Sequence, residues 1–338
     1  MSLKIGIVGL PNVGKSTLFQ ALTQKQVDTS NYPFATIEPN IGIVSVEDSR
    51  IDALANLTGS KKRIPAVIEF VDIAGLVKGA SAGEGLGNQF LSHIREVDAI
   101  VEVCRAFEDS NIVHVESSID PERDKGIIET ELLMADLATV EKALARLEKE
   151  AKTGSADTRE KLEHARALKA VIDSGALPTG DQKNLARELQ LLSGKPIMYL
   201  YNVKDETPQP ANDTTVYLNI KLEEELSGMT PEERAEFGMS SHLSTLAHAA
   251  YRLLGLMSYF TTGEDETRAW TIPKGSTAKQ AGGAIHSDFE EKFIRAEIIF
   301  WEDLLKAGSY AKARELGLLR TEGKDYTVKD GDVIEFKI

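Results

Sequence analysis

The chain has 338 residues, 42% hydrophobic and 27% charged, which excludes wholesale disorder and suits two or three domains with cores of their own. Lysine and arginine number 39 against 53 aspartates and glutamates, a formal net charge of −14, so a general affinity for nucleic-acid backbone is excluded while a local basic patch is not. A single cysteine, Cys104, excludes an intramolecular disulfide; with no bilayer-length apolar run and no signal-peptide pattern over Met1–Gly9, the expectation is a cytoplasmic protein without a membrane partner.

Leu3–Val8 reads LKIGIV, a short apolar run suited to a buried strand. Gly9-Leu10-Pro11-Asn12-Val13-Gly14-Lys15-Ser16-Thr17 follows, and Leu18, Phe19, Ala21 and Leu22 then supply the apolar face of a helix. This is the P-loop pattern G-x-x-x-x-G-K-S between a strand and a helix, the context the motif requires. Its glycines let the backbone curl so that N–H groups converge on a phosphate, and the helix N-terminus adds partial positive charge. Pro11, Asn12, Val13, Gly14, Lys15, Ser16 and Thr17 are therefore the expected nucleotide-binding residues. Lys15 is expected to reach the β- and γ-phosphates, and the Ser16 hydroxyl to ligate Mg²⁺, the expected cofactor.

Asn31-Tyr32-Pro33-Phe34-Ala35-Thr36 places a loop threonine where switch I ligates Mg²⁺ and senses the γ-phosphate; an ordinary strand or turn residue is the other reading of Thr36. The apolar run Ala66–Val71 ends in Asp72-Ile73-Ala74-Gly75. Asp72 stands where a Walker-B carboxylate holds Mg²⁺, and Gly75 would offer its N–H to the γ-phosphate. The next residue is Leu76, where Ras-type GTPases place a glutamine that orients the attacking water, so hydrolysis uses another group or is slow. The glycine-rich stretch Val77–Gly87 is expected to depend on the γ-phosphate for its ordering. After the strand Ala99–Cys104, Phe107 walls the base or packs in the core, and His114 is either catalytic or structural.

From Ile127 the pattern turns helical: Leu133, Leu137, Val140, Leu144 and Leu147 form a heptad seam, KTGSA over Lys152–Ala156 makes a turn, and Leu162, Ala165, Leu168 and Ile172 resume the stripe. That is an antiparallel helical hairpin, either packed internally or serving as an arm for a macromolecular partner. Leu185, Leu189 and Leu192 suggest a third, shorter helix. The strand Lys195–Tyr201 ends in Asn202-Val203-Lys204-Asp205, where GTPases carry N-K-x-D to read guanine. Val203 replaces the lysine and Asp205 is kept, so Asn202, Val203 and Asp205 are expected at the base; structural turns are the alternative. A strand Thr215–Ile220 leads into Asn219-Ile220-Lys221, a poor match to the second base loop of GTPases. Near Thr261–Asp265 the character shifts to a compact α+β module with a strand at Ala269–Pro273, a helix at Trp301–Lys306 and a terminal strand Val333–Ile338. Its Lys274, Lys279, Lys292, Arg295, Lys324 and Lys329 form an RNA-facing patch or a scattered solvated surface.

GLPNVGKST, NYPFATIEPN, DIAGLVKGASAGEGLGNQFL, FEDSNIVHV, RAWTIPKGSTAKQAGGAIHSDFEEKFIRAEI and EGKDYTVKDGDVIEF together resemble the YchF-type branch of the Obg-like ATPases, translation-associated P-loop NTPases, over nearly the whole chain. The resemblance implies an α/β fold: a G domain with a doubly wound, mostly parallel sheet (1–125 and 195–262), a helical hairpin insertion (126–194) and a C-terminal TGS domain of β-grasp type (263–338). It implies ATP in preference to GTP, a hydrophobic residue at the catalytic glutamine position, which Leu76 fits, and a translation or stress role on the ribosome, at its large subunit, with RNA contact through the TGS domain. Two departures stand out: Asp205 where relatives usually carry Glu, and a short Glu206–Thr214 connection. The expected function is a Mg²⁺-dependent ATPase with Lys15 and Gly75 as catalytic groups. A GTP-specific switch and a nucleotide-bound adaptor with negligible hydrolysis are the competing readings.

Overall fold

The computed structural model describes residues 3–24, 38, 40–73, 87–109, 118–152, 155–204, 212 and 214–338. The chain opens with β1 (Lys4–Val8), α1 (Lys15–Gln24), β2 (Ile41–Val46), α2 (Ser49–Thr58), β3 (Lys62–Ile64), β4 (Ala66–Asp72), α3 (Gly87–Arg95) and β5 (Ala99–Arg105). Three helices follow: α4 (Pro121–Ala151), α5 (Ala156–Asp173) and α6 (Gly180–Glu188). The chain returns through β6 (Ile197–Asn202), β7 (Thr215–Leu218), α7 (Ile220–Ser227), α8 (Pro231–Glu236) and α9 (Leu243–Leu253). It closes with β8 (Leu256–Thr262), β9 (Glu266–Pro273), α10 (Ala278–Ile285), α11 (Ser287–Glu291), β10 (Arg295–Phe300), α12 (Trp301–Ala307), α13 (Tyr310–Glu315), β11 (Arg320–Glu322) and β12 (Asp332–Lys337).

One sheet has the order β2-β4-β1-β5-β6-β7, parallel apart from β2, which runs antiparallel to β4. β4 and β5 are buried at nearly every position, as strands covered on both faces must be, whereas β2 alternates between buried and half-buried residues along the sheet edge. β1 sits between β4 and β5, so the strand order reverses at its carboxyl end, the place where sheets of this kind bind their ligands.

α4 starts six residues before the helical pattern of the sequence is legible. Asp120 caps it by accepting from Arg123 N, and Pro121 occupies its first turn. The seam leucines Leu133 and Leu147, with Val140, are buried against Leu162, Ala165, Leu168 and Ile172 of α5, so the hairpin forms as its spacing predicts. Buried Asp136 accepts from Leu192 N at 2.8 Å and from Ser193 N and Oγ at 2.7 Å each, which pins the chain's return path to α4. The third helix differs from expectation: α6 ends at Glu188, Leu189 follows it, and Leu192 lies in a separate 3₁₀ turn.

The other sheet has the order β11-β10-β12-β8-β9-β3. With α10 against Met257, Tyr259, Ile298 and Ile334, it is the β-grasp arrangement the resemblance implies. Two strands depart from the expected division of the chain. β8, assigned by sequence to the unit ending at 262, pairs along its length with β9. β3, from inside the first segment, forms the sheet's edge through Lys62↔Glu266 and Ile64↔Arg268. Both were missed because β8, with Ser258, Thr261 and Thr262 among its apolar residues, carries no clean alternation that assigns it to either sheet, and β3 has only three residues, too few for a period.

Candidate functional site at the carboxyl end of β1

The segment between β1 and α1 is built from backbone conformations that most side chains resist. Gly9 has φ +145°, Asn12 φ +62° and Gly14 φ +110°. A Cβ at Gly9 would stand 2.4 Å from the carbonyl oxygen of Val103 in β5, and one at Gly14 would stand 2.7 Å from Nδ2 of Asn202. The turn is therefore held against the strand ends, and Leu10 and Val13 bury their side chains beneath it while Pro11 and Asn12 stay exposed. Leu18 N donates to Gly14 O at 2.9 Å, closing the first turn of α1. The amides of Lys15, Ser16 and Thr17 occupy that first turn, where a helix has no internal acceptors for its N–H groups. Curled backbone and helix N-terminus together form an anion cradle.

Lys15 Nζ donates to Leu10 O at 2.6 Å, reaching back over the loop that precedes it. Burial pushes its pKa down to about 8, against the opposing pull of the Asp72 carboxylate. Asp72 ends β4, pairs with Ile7 of β1, is 7% exposed and donates its backbone N–H to Asn40 O at 2.9 Å. The exposed Ser16 lies one residue beyond Lys15 on α1. A hydroxyl and a carboxylate are hard oxygen donors of the kind Mg²⁺ takes, and Mg²⁺ in phosphate sites draws most of its remaining shell from phosphate and water.

Asn202, expected at the base, does structural work in the same place. Its Nδ2 donates to Val13 O at 2.9 Å, its Oδ1 accepts from Ile220 N at 3.2 Å, and its carbonyl accepts from Ala106 N at 2.9 Å. One buried side chain thus ties the P-loop to the start of α7, while its backbone holds the end of β5. The half-buried Val203 donates its N–H to Leu218 O at 2.9 Å. The strand expected through Ile220 stops at Leu218, because Asn219 turns out to cap α7: its Oδ1 accepts from Leu222 N at 3.0 Å and its Nδ2 donates to Lys204 O at 2.9 Å. An asparagine just before an amphipathic run is a recognisable start signal, and it is the cue that separates strand from helix here.

Arg105 was not anticipated. It is 1% exposed at the end of β5, donates from Nε to Phe107 O at 3.0 Å and from Nη2 to Asp109 O at 3.2 Å, and its guanidinium lies 4.8 Å over the Phe107 ring. The segment after β5 is thereby folded back over the strand end, next to the cradle. Thr36, Gly75, Leu76, His114 and Asp205 lie outside the described residues. The structure thus brings Pro11–Thr17, Asp72, Asn202 and Val203 to one end of one sheet.

Residues 4–125 match a family model described as a 50S ribosome-binding GTPase, and residues 256–338 match the YchF-GTPase C-terminal family, described as a protein of unknown function (DUF933). The Ribosome-binding ATPase YchF of Bacillus subtilis (strain 168) is 48% identical over 363 residues, covering 100% of this chain and 99% of its own. That of Escherichia coli O157:H7 is 45% identical, covering 99% of each chain. The solved structure of the Schizosaccharomyces pombe YchF GTPase superposes with a TM-score of 0.87 at 38% identity, covering 99% of this chain and 98% of that one.

Proposed function

The chain belongs to the YchF family, and we propose that it is a Mg²⁺-dependent, ribosome-associated P-loop ATPase that prefers ATP to GTP and regulates translation or the stress response. The observation that carries the reading is the Gly9–Gly14 turn running into α1 with Lys15 and Asp72 beside it. Amides of the turn and of the first helical residues would hold the β-phosphate. Lys15 would leave the Leu10 carbonyl for the triphosphate, whose charge restores the ammonium that burial disfavours. Ser16, Asp72 and Thr36 would hold Mg²⁺, which supplies charge neutralisation on the β- and γ-phosphates. The Gly75 N–H would steady the γ-phosphoryl group, and in-line attack by water would yield nucleoside diphosphate and phosphate.

Positioning and electrostatics supply the catalysis in this scheme. Leu76 carries no group that orients water, so the intrinsic turnover is slow. The preference for ATP rests on Val203, which removes the lysine that GTPases use at the base, and on the bacterial relatives being named ATPases. Asp205 argues for guanine, and the S. pombe relative is named a GTPase. Calorimetric titration with both triphosphates in Mg²⁺ tests the preference: tighter ATP supports it, and GTP tighter by about tenfold, some 1.4 kcal/mol, overturns it.

The ribosome, at its large subunit, is the proposed partner. The hairpin α4–α5 and the C-terminal domain are its proposed contacts, the latter touching RNA through its basic residues. Leu76 also favours a second reading, an adaptor in which nucleotide is a structural ligand. Multiple-turnover phosphate release with and without ribosomes separates the two. Release above background in either condition supports the ATPase, and none in both supports the adaptor.

A further inference from the structure

β8 and β12 lie side by side and parallel, yet they pair at one position, Val333↔Phe260. On their outer sides both are fully paired, β8 with β9 from Leu256↔Pro273 to Thr262↔Thr267 and β12 with β10 from Arg295↔Lys337 to Phe300↔Asp332. The sheet therefore forks beyond Val333 and Phe260. Residues of an antiparallel ladder alternate between facing their partner strand and facing away from it. Trp301 N donates to Gly331 O, and Gly263 N donates to Glu266 O, each at 3.0 Å. Those bonds fix the phase of both ladders. Phe336 on one prong and Thr262 on the other turn their backbone N–H and C=O into the fork, and among the described residues no strand pairing spans it there.

The fork is also a cavity of about 760 Å³, lined by Thr262, Trp270, Phe289, Tyr310, Ile334 and Phe336 among others. The Tyr310 hydroxyl has no hydrogen-bond partner among the described residues. Two carboxylates at the mouth, Glu264 and Glu266, have no ion-pair partner among them either. The other charges there are matched, Arg314 with Glu297 at 3.1 Å and Glu335 with Lys337. An aromatic floor, unused backbone rungs and uncompensated negative charge occur in one place.

We propose that the fork between β8 and β12 is a docking cleft for an extended segment of a partner protein that alternates apolar and basic residues. Its backbone takes up the rungs at Thr262 and Phe336, alternate side chains enter the aromatic pocket, and its lysines or arginines meet Glu264 and Glu266. A polyanion such as RNA is opposed by those carboxylates.

The probe is a fluorescein-labelled short peptide alternating valine and lysine, titrated into the full chain by anisotropy. A control peptide of the same sequence carries N-methyl groups on alternate amides, which keeps charge and apolar content but removes the rungs. Saturable binding that weakens by about tenfold or more on N-methylation, and likewise in the Glu264→Gln/Glu266→Gln variant, supports the cleft, as does slowed hydrogen exchange at Thr262 and Phe336. Equal binding of the two peptides, no saturable binding, or displacement of the peptide by an oligouridine overturns it.

Discussion

Gly14 and Lys15 are adjacent, yet they constrain the site through different physics. Gly14 combines φ +110° with a Cβ position 2.7 Å from a side chain that itself anchors the loop. Gly14→Ala is therefore expected to push Asn202 off the Val13 carbonyl, lowering nucleotide affinity by about tenfold or more and stability by roughly 1–3 kcal/mol, measured by titration and thermal melt. Lys15 acts through charge. On the proposed function its ammonium form is the one that binds phosphate, and burial lowers its pKa to about 8, so affinity for ATP should fall as pH rises above 8, by up to about tenfold per unit. The apo protein should show the opposite slope. Below pH 8 it carries a buried ammonium at a cost, and the contribution of Lys15 to stability rises between pH 8 and the ordinary 10.5 because the unfolded chain then binds the extra proton. Measured as the difference between the parent and Lys15→Met, a parent that loses stability relative to the variant over that interval would contradict the assignment. The loop residues were legible in the sequence because each spacing in G-x-x-x-x-G-K-S answers to a backbone need. The clamp made by Asn202 and the fold-back by Arg105 were not, because both depend on strands far apart in the chain meeting at their ends.

The long helix α4 is fastened to the sheet by an acidic and phenolic cluster. Tyr199 donates its hydroxyl to Glu129, Tyr201 donates to Glu122 at 2.5 Å, and the Lys125 ammonium lies 4.3 Å over the Tyr199 ring. Beneath them Glu102 of β5 is 1% exposed, and burial first, then the carboxylates of Glu129, Asp124 and Glu122, raise its pKa to about 9 while Lys125 opposes the shift. Glu102 is thus a neutral acid at physiological pH. The native state holds a proton that the unfolded chain releases above its ordinary 4.5, so this group takes stability away as pH climbs from 4.5 to 9. Glu102→Gln should remove that dependence and, at pH 8, exceed the parent by roughly 1–3 kcal/mol in denaturant titration, with the difference shrinking toward pH 4.5. A variant less stable at pH 8 would contradict it. The hairpin itself was readable because heptads repeat along α4. Its true start was hidden, since Pro121 to Gly126 is polar and only the Asp120-Pro121 cap announces it.

The two sheets are interlocked. β3 leaves the first segment of the chain to edge the second sheet, Arg50 pairs with Asp330 at 3.1 Å, and the hydroxyls of Thr58, Ser60, Thr262 and Thr267 are bonded to one another across the junction. A fragment ending at residue 262 should therefore aggregate, because it keeps β8 without β9 or β12 and exposes an apolar strand on both edges. A soluble monomer of that fragment on size exclusion would contradict the shared architecture. The strand-end motifs of the first unit and the change of character near Thr261–Asp265 were legible in the sequence, but not this exchange, which is a pairing between segments some two hundred residues apart. What joins everything to function is the amide cradle before α1, and it is tested most directly by calorimetric titration of ATP with Mg²⁺ into the parent chain and into Lys15→Ala, with circular dichroism confirming that both are folded. Binding by the parent and a loss of roughly a hundredfold, about 2.7 kcal/mol, in the variant are expected; equal affinity in the two would rule the cradle out as the nucleotide site.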